Sequence, residues 1–120
     1  MDLHSDKIEV CAPYLNKDMK YIDALLKAKS DTVSKVIVME ECSELIKEVS
    51  KSVRDVDNKK ELTEEMVDVI ISIQMLMRMC VVSQDELDRE YNKKMKRNLL
   101  RIEDKQRIES SIENSSLYVK

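Results

Sequence analysis

A chain of 120 residues is long enough for one domain with one real core. It has no Gly and one Pro, and 38% of its residues are charged; this disfavours a turn-rich all-β fold, which needs residues of positive φ, and predicts helices with one dry and one solvated face. A net charge of −3 and the absence of Trp and Phe argue against a basic nucleic-acid-binding surface and an aromatic platform for single strands.

The N-terminal residues carry no basic-then-apolar leader pattern, and no apolar run reaches the length of a membrane span. A cytoplasmic protein without membrane contact is expected. Residues 2–11 suggest a short helix ended near Pro13. The single histidine, His4, reads as a solvated end residue. Cys11, Cys42 and Cys80 are odd in number and lack metal-type spacing. Cys42 and Cys80 stand in apolar stretches and read as reduced core thiols.

Residues 16–29 suggest a second helix, with Met19, Ile22, Leu25 and Leu26 at helical spacing. Ser30 or Asp31 can cap a third, running to about Arg54. Its apolar stripe is read as Val38, Cys42, Leu45 and Val49. Asp55–Lys60 reads as a loop, and Asn58 with Glu61 has the spacing of a capping box. From Glu61 to about Val82 the chain is apolar nearly all round, which predicts burial on most sides and a subunit interface. Ser83 and Glu86 form a capping box before a last long helix, whose stripe is Leu87, Tyr91, Met95, Leu99 and Ile102. A polar tail begins near Ser110. The expected organisation is one all-α domain over residues 1–110, a bundle of four to five helices, followed by a tail over 111–120.

Exclusion narrows the chemistry. Without Gly there is no phosphate-cradling loop, and one terminal His builds no acid–base pair or zinc site. Catalysis would have to run on carboxylates, Lys or Arg, and a metal. Glu40-Glu41-Cys42-Ser43-Glu44 and Glu65-Met66-Val67-Asp68 supply the carboxylates. Residues three apart share a helix face, so Glu41/Glu44 and Glu65/Asp68 form two pairs on helices joined by a short loop. Converging carboxylates repel one another, and a hard divalent cation with oxygen ligands removes that cost. The plain alternative is a wet helix face on which Glu40, Glu41, Glu44 and Glu48 pair with Lys47 and Lys51. Asp68 argues against it, because aspartate inside an apolar helical run has little reason to be there without a partner. On the last helix Lys94, Asn98 and Arg101 share a face at i, i+4, i+7, suited to phosphate oxygens or a nucleoside, or else an ordinary charged surface.

Together and in this order, EECSE at 40–44, EEMVD at 64–68 and Lys94/Asn98/Arg101 resemble the MazG-like nucleoside triphosphate pyrophosphohydrolases, an all-α superfamily that also holds dimeric dUTPases and phosphoribosyl-ATP pyrophosphohydrolase. The resemblance covers roughly residues 33–103. It implies a bundle completed by oligomerisation, as a homodimer or homotetramer. It implies Glu41, Glu44, Glu65 and Asp68 as ligands of Mg2+, with Mn2+ as a possible substitute. Glu40 aligns with the motif's leading acid, and Lys94, Asn98 and Arg101 would contact the triphosphate or nucleoside. The implied reaction splits a nucleoside triphosphate into monophosphate and pyrophosphate, in keeping with nucleotide-pool housekeeping. Residues 1–30 match no pattern, and the Trp or Phe that clamps the base in some relatives is absent. Tyr14 and Tyr21 are the aromatic residues there, and dUTP, dCTP, general or modified nucleotides all stay open. A reading from another class is a non-catalytic helical bundle that acts by oligomerisation or protein interaction.

Overall fold

The computed structural model describes residues 19–118, and side chains through residue 115. The expected helix 2–11, its stop at Pro13, and His4, Cys11 and Tyr14 lie outside the described residues. Within them there are four helices and no strand: α1 (Lys20–Lys27), α2 (Asp31–Val53), α3 (Lys59–Met79) and α4 (Gln84–Tyr118). They fall into two compact units. One ends at Gln84 and holds α1–α3; the other starts at Asp85 and holds nearly all of α4. None of these helices is long and apolar enough to cross a membrane.

In the first unit α2 and α3 form an antiparallel hairpin, and α1 packs on α3. Ser30 caps α2, its hydroxyl accepting from the Val33 N–H at 3.3 Å. Both α2 and α3 end in left-handed residues, Asp55 at φ 61° and Val81 at φ 54°. The N–H groups two residues past each cap bond back into the last turn, Val56 to the Lys51 carbonyl and Val82 to the Met77 carbonyl. That geometry normally uses Gly, which this chain lacks. Between α1 and α3, Arg78 pairs with Asp23 at 3.0 Å.

Several sequence-based expectations are corrected. Asn58 precedes α3 without capping it through its side chain. Its amide instead donates across the turn to the Glu48 carbonyl (2.8 Å) and carboxylate (2.7 Å). The buried face of α2 is Ser34, Val38 and Glu48, with Leu45 half-buried, while Cys42 and Val49 are exposed. At the turn the Asn58 amide holds Glu48 inward by donating to both its carbonyl and its carboxylate, which gives α2 a polar residue on its buried face. Cys42 and Cys80 are exposed thiols and not core residues. α3 buries Ser72, Gln74, Met75 and Met77 but leaves Met66, Val67 and Ile73 exposed. The last helix runs through Ser110 to Tyr118, where a tail was expected. On it Leu87, Tyr91, Met95 and Leu99 are half-buried, and Ile102 is exposed.

Candidate metal centre

The register of the α2–α3 hairpin brings the carboxylates together. Asn58 clamps Glu48 at the turn. Counting two helical turns away from that clamp along each helix leads to Glu41 on α2 and Glu65 on α3, so they stand level. Asp68 is three residues beyond Glu65 and shares its face. Glu41, Glu65 and Asp68 each bring one carboxylate oxygen within 4.8 Å of the others.

The neighbouring charges that act on Glu41 and Glu65 are negative. The Glu41 carboxyl lies above its ordinary 4.5 through partial burial first, then the charges of Asp68 and Glu65, a hydrogen bond with Asp68, and Glu40. Glu65 is raised by burial first, then by Asp68, Glu44, Glu48 and Glu64. Its Oε2 is buried with no hydrogen-bond partner. Among the described residues no Lys or Arg forms an ion pair with Glu41, Glu65 or Asp68. Lys51, one of the lysines in the wet-face alternative, pairs with Glu48 at 2.9 Å. A cluster of oxygen donors with an orphaned buried oxygen fits a hard divalent cation.

Of the sequence-predicted residues, Glu41, Glu65 and Asp68 converge. Glu44 is exposed beside them, close enough for its charge to act on Glu65, and Glu40 is exposed next to Glu41. Lys94, Asn98 and Arg101 are exposed on α4, in the other unit. A cavity of about 200 Å³ adjoins the carboxylates, lined by Glu41 and Asp68 together with Leu25, Ile37, Ile71 and Met75. Ser72 and Lys29 also line it. Sequence reasoning missed this cavity and the Glu48–Asn58 clamp. Asn58 has the spacing of a local cap, and nothing in that spacing marks an amide that reaches back ten residues. No protein-family model, no curated protein and no solved structure matches the chain.

Proposed function

We propose that this chain is a magnesium-dependent nucleoside triphosphate pyrophosphohydrolase, as its motif resemblance implies. One observation carries the reading: Glu41, Glu65 and Asp68 converge from two helices with no cationic partner among the described residues, and one buried oxygen of Glu65 is unpaired. Those three residues would hold the ion, with Glu44 as the fourth ligand. Bound there, magnesium or manganese supplies charge neutralisation for the triphosphate and a lowered pKa for water. The reaction adds a water oxygen to the α-phosphorus and breaks the bond from that phosphorus to the bridging oxygen. Pyrophosphate leaves, and a carboxylate of this group takes the water's proton. The adjoining cavity, with its aliphatic walls and the Ser72 hydroxyl, is suited to a nucleobase.

The test is release of pyrophosphate and monophosphate from a panel of ribo- and deoxynucleoside triphosphates, with magnesium and with EDTA. Activity is expected with magnesium only, and Asp68→Asn is expected to lower it at least a hundredfold, roughly 3 kcal/mol in the barrier. Folded protein that is silent on every triphosphate would sink the proposal. The second reading, a non-catalytic association module, is favoured by the exposed apolar faces of α2 and α3. It requires that magnesium leave the protein unchanged.

A further inference from the structure

Between Tyr91 and Ile102 the last helix carries Lys93, Lys94, Lys96, Arg97 and Arg101 and no acidic residue. The chain-wide charge of −3 conceals this local excess. Lys93, Arg97 and Arg101 recur at i, i+4, i+8, and Lys94 falls on the same side. These four side chains therefore occupy an arc of about 100° along about 12 Å of α4. All four are exposed, with exposed Asn98 at the edge of the arc, while Lys96 lies outside it and is half-buried. None of the four forms an ion pair with a described residue. Glu90 precedes the stripe, and Asp104, the next acid beyond it on this side, is held by Arg107 at 2.7 Å.

We propose that this stripe docks the phosphate backbone of duplex nucleic acid without reading base sequence. The arrangement selects that occupant. The cations are strung along the helix about one turn apart, which suits a polyanion of repeating charge better than one phosphate group gathered at a point. Between Lys93 and Arg101 the arc holds no apolar residue, so it lacks the dry centre of a protein–protein interface. The apolar stripe of this stretch, Tyr91, Met95 and Leu99, is half-buried within the protein, which leaves only Leu100 exposed to enter a lipid surface. Single strands are held by aromatic stacking, and no exposed aromatic residue stands here, whereas a duplex presents its charge at higher density. Contacts made only to phosphate carry no sequence information. The inference stands apart from the carboxylate centre.

The test is fluorescence anisotropy of a labelled DNA duplex of mixed sequence with the full chain, in EDTA so that no metal bridges the two. Four phosphate contacts should make affinity fall roughly a hundredfold between about 50 and 200 mM salt. Arg97→Gln combined with Arg101→Gln is expected to lower affinity at least tenfold at the lower salt and to reduce the salt slope by about two, with helical circular dichroism retained. Lys59→Gln with Lys60→Gln, an equal change of charge at exposed positions on α3, should leave binding intact. No binding at the lower salt would overturn the proposal, as would binding that ignores Arg97 and Arg101 or falls equally in the α3 variant. Tighter binding to a single strand of the same sequence would overturn it too. So would capture by vesicles of anionic lipid without capture of the duplex, or displacement of the duplex by a nucleoside triphosphate as readily as by unlabelled duplex at equal phosphate concentration.

Discussion

At the scale of single residues, two carboxylate groups make opposite statements about pH. Glu41 and Glu65 are raised above the ordinary range in the cation-free protein. Their contribution to stability is therefore present below the ordinary carboxylate pKa, and it is lost as pH rises through the raised value. A bound cation reverses this, because it favours the ionised form. Magnesium is accordingly expected to raise the melting temperature more at about pH 7.5 than at about pH 5. Glu65→Gln should remove that difference. Equal shifts at both pH values, or an unchanged response in the variant, would contradict a carboxylate metal centre. Glu48 behaves in the other sense. Hydrogen bonds from Asn58 and then Lys51 hold its carboxyl below the ordinary range. Its contribution is present above the ordinary pKa and lost as pH falls through the lowered one. Asn58→Ala should cost about 1–3 kcal/mol in a urea titration at neutral pH, since two buried hydrogen bonds disappear. The cost should shrink in acid. A cost that did not change with pH would mean that Glu48 is not the group that the amide serves.

At the scale of elements, local sequence signals served well where the physics is local. Ser30 was legible as the cap of α2 because a serine hydroxyl reaches an N–H three residues on without tertiary help. Glu65 and Asp68 were legible as a pair for the same reason. Asn58 was not, because its partner belongs to the preceding helix. The stripe Val38, Cys42, Leu45 and Val49 mixes two faces: Val38 packs inward, while Cys42 and Val49 are exposed. Periodicity identifies an apolar face but not which neighbour covers it. The helix ends carry a prediction of their own. Val81 is β-branched, left-handed and 85% exposed, so its side chain gains no packing to offset the strain. Val81→Gly should stabilise the protein by about 1 kcal/mol, read as a higher denaturation midpoint. A lower midpoint would show that Val81 makes contacts that outweigh its backbone cost.

At the scale of the whole molecule, the buried apolar residues are few: among the described residues they are Ile22, Val38, Met75 and Met77. So small a core leaves little margin for folding against chain entropy. The all-α class was legible in the composition, because a chain without Gly and rich in charge and aliphatics has few alternatives to amphipathic helices. The sequence by itself determined the helices, the Ser30 cap and the paired acids on each helix, since these depend on contacts three or four residues apart. Only the tertiary structure decided that Glu41 stands level with Glu65, that a cavity adjoins them, and that Cys42 and Val49 face outward. Each of these depends on the rotation and register of α2 against α3. A clamp ten residues long, from Asn58 to Glu48, sets that register, and no local periodicity encodes it.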